Sequence, residues 1–284
     1  MQKVLITGSN GQLGNEIRVL SNQFPEFEFI FTDVDELDIT NPEALNSFFE
    51  ANHPDILINC AAYTAVDKAE DDRDNAFRIN EYAVGLLGEM AHRFGARMIH
   101  VSTDYVFDGK SYVPYTEEMP VNPSTVYGQS KQAGDALLMQ VCKQAAIVRT
   151  SWLYSSFGNN FVKTMRRLAA EREQLTVIFD QIGTPTYAAD LAKALLIMAK
   201  SSDFLPGIYH FSNEGVCSWY DFALKIIGLS GLNCKVLPIE SKDFPVRTPR
   251  PFYSVLNKQK IKKQYNLQIA HWEEGLKRCL DKLQ

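Results

Sequence analysis

KVLITGSNGQLGNEI, residues 3 to 17, runs from a β-branched apolar stretch through three glycines into a segment with helical spacing. Gly8, Gly11 and Gly14 stand as G-x-x-G-x-x-G. Between a strand and a helix, glycines permit a tight turn and a close backbone approach to a pyrophosphate, and the helix N-terminus adds free N–H groups and a favourable dipole. The same spacing also serves plain turns, so a second mark is needed. Asp33 supplies it by ending the next apolar run, FEFIFTD (27–33), where an acid can accept hydrogen bonds from the adenosine ribose hydroxyls. Together they predict a dinucleotide site on the first strand, turn and helix of an α/β sheet.

The rhythm of that stretch continues along the first half of the chain. Strand candidates lie at 3–7, 27–33, 55–59, 96–102 and 145–151, with helix candidates near 12–21, 42–51, 72–94 and 126–142 between them. Strands alternating with helices imply right-handed crossovers and a parallel, doubly wound, Rossmann-like sheet. Residues 1–150 therefore read as a dinucleotide-binding domain. After Trp152 the rhythm loosens into helices near 160–171, 187–200, 218–228 and 270–282, with strand-like LTVIF (175–179) and GIYHFS (207–212). Residues 151–284 read as a mixed region that partly returns to the sheet and partly builds a smaller substrate-binding lobe.

Composition excludes several classes. With 284 residues, 45% hydrophobic, the chain can bury a large core, and a net charge of −5 leaves no basic footprint for nucleic acid. The five cysteines, Cys60, Cys142, Cys217, Cys234 and Cys279, form no C-x-x-C pair, which fits a reduced compartment. Met1 leads straight into KVLIT without a basic and apolar leader, and no window approaches the roughly 18 apolar residues that cross a bilayer. A cytoplasmic location without membrane contact is expected. No histidine has a partner at metal-ligand spacing, so the five are read as structural and no metal is expected.

A second stretch carries chemistry. TVYGQSKQAG (125–134) sets Tyr127 and Lys131 four apart at the start of a helix candidate, hence on one face. A nearby cation favours the phenolate, so the proton of Tyr127 becomes easier to give up, as a general acid needs. A solvated helix face would show the same spacing. Thr103, in VSTDYVFDG (101–109), ends the fourth strand, where its hydroxyl can meet a carbonyl beside the tyrosine. The third strand ends in NCAAYTAV (59–66), whose Ala61 and Ala62 let a flat cofactor lie close or simply pack a strand end. In PVRTPRP (245–251), Arg247 and Arg250 are arginine forks suited to a pyrophosphate or to solvent, Arg250 being favoured.

Over nearly its full length the chain resembles the extended short-chain dehydrogenase/reductase family, with Thr103, Tyr127 and Lys131 in the catalytic positions and the glycines in the cofactor loop. More narrowly, GQLG (11–14), AAYTAVDKAE (61–70), STDYVFDG (102–109), YGQSKQAG (127–134), RTSWLY (149–154) and GNNFVKTM (158–165) resemble the dTDP-4-dehydrorhamnose reductases of that family. The resemblance implies NADH or NADPH wrapped by Gly8, Asn10, Gly11, Gln12, Leu13, Asp33, Asp38, Ile39, Ala61, Ala62, Tyr63, Tyr127 and Lys131. It implies a sugar-nucleotide substrate met by Val66, Thr103, Asp104, Trp152 and Arg250, and reduction of its 4-keto group to give dTDP-L-rhamnose. Trp152 has the apolar face that a deoxysugar ring suits, with core packing as the other reading. Asn80 matches a position that helps hold the lysine, or is a solvated helix residue. Related reductases are described as magnesium-bound dimers held through glutamates, one just after the GQLG turn; Asn15 stands there, which leaves a homodimer open and a metal bridge unsupported.

Two other functions share these features. A sugar-nucleotide epimerase or dehydratase has the same tyrosine and lysine, but dehydratases have Thr-Asp-Glu where this chain has Thr103-Asp104-Tyr105. A non-catalytic regulatory subunit of the same fold would not require an intact Thr, Tyr and Lys. For the cofactor, Asp33, Asp35 and Glu36 make an acidic rim, and no Lys or Arg lies between Arg18 and Lys68, so NADH is expected to serve at least as well as NADPH.

Overall fold

A computed structural model describes residues 1–283. Six strands, β1 (Gln2–Thr7), β2 (Phe27–Thr32), β3 (Ile56–Asn59), β4 (Arg97–Thr103), β5 (Ala145–Thr150) and β6 (Gly207–His210), form one sheet in the order β6-β5-β4-β3-β1-β2. Every pairing in it is parallel. The reversal of strand order beside β1 is the switch point where ligands bind in such sheets.

Helices cover both faces. On one, α2 (Pro42–Asn52), α3 (Ala83–Phe94) and α4 (Val126–Val141) close a core with Leu5, Leu57, Met98 and Ile147. On the other, α1 (Gln12–Leu20) and α5 (Ala188–Lys200) pack with Val4, Ile6, Ile58 and Ile99. Successive strand residues thus feed opposite cores, which is why these strands read as unbroken apolar runs rather than as alternating ones.

The segment expected as one helix over 72–94 is divided into Arg73–Phe77, a π-turn at Arg78–Tyr82, and α3. The division coincides with the crossing of α4. A Cβ on Gly134 of α4 would lie 1.9 Å from the Asn80 carbonyl oxygen, so only a glycine lets the two segments meet there.

A second core gathers helices Phe161–Glu171, Trp219–Leu229 and Trp272–Asp281 around a parallel strand pair, Gln174–Ile178 with Lys235–Ile239. Glu16, on α1, joins the two cores: it is fully buried and accepts from Ser155 Oγ at 2.6 Å and Lys282 Nζ at 3.2 Å. Among the described residues no helix is long and apolar enough to cross a membrane.

Candidate active site

Two cavities meet at the glycine turn. The smaller, about 400 Å³, is bounded by Gly8, Asn10, Gly11, Asp33, Asp38, Ile39, Ala61 and Ala62, and also by Arg78. The larger, about 880 Å³, is bounded by Gly8, Gly11, Gln12, Leu13, Ala62, Val66, Thr103, Asp104, Tyr127, Lys131, Trp152 and Arg250. Of the residues expected at the site, Tyr63, Gly14 and Arg247 stay off both walls. For Tyr63 the structure shows other partners. Its phenol donates to Asp72 at 3.1 Å and its backbone N–H donates to Asn80.

The turn is shaped for a close ligand. Gly8 has φ +66°, and a Cβ there would come within 2.6 Å of the Ala61 backbone. Two chain segments touch where any side chain would part them. No side chain caps the first turn of α1, so its N–H groups face the trench free of protein partners other than backbone. Asp33 Oδ2 accepts from the Asn10 N–H at 2.9 Å, which fixes the acid beside the turn. Asp38 is partly committed to the fold, since Oδ1 closes its own turn by accepting from the Thr40 N–H and hydroxyl at 2.9 and 2.7 Å.

Thr125 caps α4 by accepting from the Gly128 N–H at 3.0 Å, and this starts the helix just ahead of Tyr127. The Tyr127 ring meets Tyr105 edge to face, with centroids 5.4 Å apart and planes at 72°. Burial pushes the Tyr127 phenol up to about 12, against the Thr103 hydroxyl beside it, which acts in the opposite direction. The cation expected to ease its ionisation is engaged elsewhere: Lys131 Nζ donates to the Val101 carbonyl at 2.8 Å and lies 3.0 Å from His100 Nε2. Burial brings Lys131 down to about 8, opposed by Asp135 and Cys60. In this state desolvation, seconded by Asp104 and Asp135, outweighs the Thr103 hydroxyl at the phenol, and Tyr127 holds its proton.

Asp104 is fully enclosed. Burial raises its carboxyl to about 7, against hydrogen bonds led by Thr103, whose hydroxyl donates to Oδ1 at 3.1 Å. Its Oδ2 has no hydrogen-bond partner, and neither has the neighbouring Ser254 hydroxyl.

Trp152 fits neither expectation alone. Its indole stacks on Trp219 with centroids 3.5 Å apart and planes at 10°, yet both residues border the larger cavity. Its backbone is left-handed, φ +47°, which is uncommon for a bulky residue and is found where surrounding structure enforces it. Arg250 borders the cavity, gives Nη2 to Asp67 at 2.6 Å and keeps a buried, unpartnered Nη1. Arg247 is outside it, paired with Asp71.

Asn80 is neither solvated nor in contact with Lys131. It is 1% exposed, and its amide joins the Tyr63 backbone to Ser130 of α4, bracing the helix that carries the lysine. The sequence reading missed Arg78, Trp219 and His100. Arg78 lies outside the window searched for basic groups, Trp219 belongs to the second core, and His100 looks structural until α4 is laid against β4. Among the described residues no group of three or more metal-ligating side chains converges.

A model of the RmlD substrate binding domain matches residues 1–284. The chain belongs to the RmlD family. Its relatives include the spore coat polysaccharide biosynthesis protein SpsK of Bacillus subtilis, 42% identical over 99% of this chain and 97% of that protein. Among solved structures, a dTDP-4-dehydrorhamnose reductase of Clostridium acetobutylicum superposes with a TM-score of 0.95 at 43% identity, covering 99% of both chains. The dTDP-4-dehydrorhamnose reductase of Bacillus anthracis, solved in complex with NADP, has a TM-score of 0.95 at 40% identity over 99% of this chain and 100% of that one. For this RmlD family member, the likeness thus spans the whole described chain, including the elements that carry both cavities.

Proposed function

We propose that the protein is an NAD(P)H-dependent reductase of the cytoplasm, converting the 4-keto group of dTDP-4-dehydrorhamnose to the hydroxyl of dTDP-L-rhamnose. The observation that carries this reading is the convergence of Thr103, Tyr127 and Lys131 on one wall of the 880 Å³ cavity, next to the glycine turn. A dinucleotide fits the trench on the structure's own terms, because the Gly8–Ala61 approach leaves no room for a side chain and the first turn of α1 lacks a side-chain cap. When bound, the reduced nicotinamide supplies the hydride for C4.

The residues do the rest. Gly8, Asn10, Gly11, Gln12 and Leu13 hold the pyrophosphate, with Asp33, Asp38, Ile39, Ala61 and Ala62 around the adenosine. The Thr103 hydroxyl donates to the keto oxygen and orients it. Tyr127, protonated at neutral pH because burial holds its pKa near 12, delivers its proton as the oxygen becomes an alkoxide. Lys131 restores charge balance beneath it. Val66, Asp104 and Trp152 enclose the sugar, and the unpartnered Nη1 of Arg250 takes a phosphate oxygen of the sugar nucleotide. The second core forms the lobe that recognises the nucleotide.

The test is to follow nicotinamide absorbance with dTDP-, UDP- and GDP-linked 4-keto-6-deoxyhexoses. Oxidation with the dTDP substrate is the expected result; turnover confined to another donor, or none with any, refutes the assignment.

A further inference from the structure

A row of polar side chains crosses the sheet beneath the lysine. Thr7, Asn59 and His100 stand opposite one another on β1, β3 and β4, and none is more than 1% exposed. Thr7 Oγ1 donates to Asn59 Oδ1 at 2.7 Å, and Asn59 Nδ2 lies 3.0 Å from His100 Nδ1. His100 Nε2 in turn lies 3.0 Å from Lys131 Nζ.

One backbone group sets the direction of the row. The Ala61 N–H, which can only donate, points at Asn59 Oδ1 at 3.0 Å. That atom is therefore the amide oxygen, and the other arm is the NH2, which can only donate. His100 Nδ1 must then present its lone pair. Burial, seconded by Lys131, holds His100 well below its ordinary range, so the ring is neutral and its single proton sits on Nε2.

The Nε2–H has one neighbour within hydrogen-bond distance, Lys131 Nζ; Asp135 Oδ1, without a hydrogen-bond partner, lies 4.0 Å away, beyond that distance. An ammonium offers no lone pair, whereas an amine does. With Lys131 charged, the N–H has no acceptor within hydrogen-bond distance, only the Asp135 carboxylate at 4.0 Å; with Lys131 neutral, Nζ accepts it. We propose that His100 is a positioning residue that stabilises the neutral form of Lys131 and so lets the lysine return a proton to Tyr127.

The step balances and rests on the reductase reading. The product alkoxide takes the Tyr127 proton and becomes a hydroxyl. The tyrosinate regains a proton from the Lys131 ammonium through water in the cavity that both side chains border, leaving an amine that accepts the His100 N–H, and solvent later protonates that amine. His100 keeps its own proton throughout. The other groups that act on Lys131 are Cys60, beyond the end of β3, and Asp135 on α4, which Arg149 on β5 engages at 3.3 Å; Tyr127 shares the cavity wall with the lysine.

The direction of the row can be read without substrate, so its failure is separable from failure of the reductase reading. His210 is an internal reference: its Nδ1 lies 3.0 Å from the Tyr115 carbonyl oxygen, which can only accept, so that ring carries its proton on Nδ1. Protein labelled with 15N-histidine is expected to show two rings that do not titrate between about pH 5 and pH 9, one protonated on Nδ1 and one on Nε2. His100→Phe should remove the second. A wild-type His100 protonated on Nδ1 overturns the proposal.

Asn59→Asp tests the coupling, because a carboxylate accepts from Nδ1–H and turns the Nε2 lone pair toward Lys131. The alkaline limb of the kcat/KM profile should move up by about one pH unit, and by less than half as much when His100 is already Phe. Equal shifts in both backgrounds overturn the proposal. Should Asn59→Asp fail to fold, the wild-type Nε2–H resonance must still shift as Lys131 titrates near 8, and a flat response counts against it equally.

Discussion

Tyr127→Phe deletes one oxygen at the point where the proton must be held. The ring is 9% exposed and its edge contact with Tyr105 involves carbon, so packing survives the change. The phenol's neighbour is the Thr103 hydroxyl, and losing that contact costs about 1 kcal/mol of stability. Catalysis should suffer more: a positioned acid contributes about 10² to 10⁴, or ~3 to 5 kcal/mol of barrier. Asp104 is the nearby substitute donor, because its carboxyl, at about 7, is partly protonated at neutral pH. Any residual turnover routed through Asp104 should therefore rise as pH falls through about 7 and vanish above it. Lys131→Met added to Tyr127→Phe should cost little further, since residues that act as a unit are non-additive. Steady-state turnover of the 4-keto sugar is the assay, with cofactor affinity followed separately by fluorescence. Cofactor binding should weaken only with the lysine change. A Tyr127→Phe enzyme within about tenfold of wild type refutes the tyrosine as acid.

Trp152→Ala should raise KM for the sugar nucleotide and also lower the melting temperature, because it removes the stack on Trp219, whereas Trp152→Phe should restore stability before it restores KM; parallel recovery of both would make the indole a packing residue only. Arg78, exposed on the π-turn at the wall of the smaller cavity, is a basic group outside the stretch from Arg18 to Lys68 on which the NADH expectation rests, and it is placed to meet a 2'-phosphate there. Arg78→Ala should lower kcat/KM for NADPH relative to NADH by about tenfold, ~1.4 kcal/mol, and an unchanged ratio would place the arginine outside the cofactor's reach. The Asp104 carboxyl rises from 3.8 to about 7 on folding, so the native chain holds a proton that the unfolded chain has released, and stability falls as pH climbs through that window. Asp104→Asn should abolish this loss, gaining on wild type between acid and neutral pH by at most ~4 kcal/mol; a stability difference that does not vary with pH would show that the carboxyl ionises normally in the fold.

How much of this could be read in the sequence depends on the distance over which each feature is determined. The glycine turn, the acid ending β2 and the Thr125 start of α4 are set by backbone needs within a few residues, and all are visible in order along the chain. The sixth strand was recognisable as a strand in GIYHFS, but its pairing with β5 spans a long excursion through the second core and follows from packing rather than local pattern. Side-chain partners across elements were hidden for the same reason. Asn80 was expected to help hold the lysine or to be solvated; its partners, Ser130 beside the lysine on α4 and the Tyr63 backbone, could not be named from the sequence. The polar row did leave a trace, because Thr7 and Asn59 end the apolar runs VLI and ILI and His100 stands between Ile99 and Val101. Strands buried on both faces rarely carry such residues without a partner, and here the register of three parallel strands supplies one.

The two sides of the cleft are built to different standards of rigidity. Tyr127 and Lys131 ride on α4, which is fixed by its Thr125 cap, by Ser130 to Asn80, and by the close approach of Gly134 to the π-turn. Lys131 is further held from the sheet by Val101 and His100. Proton transfer tolerates little error in distance, and this wall has rotamers locked by buried hydrogen bonds. The opposite wall consists of a stacked indole on a left-handed backbone and an arginine paired with an exposed aspartate. Those contacts are individually weak in water, so a sugar nucleotide can displace them. Under the proposed function, chemistry falls on the side held by buried hydrogen bonds, and recognition on the side whose contacts a substrate can exchange for its own.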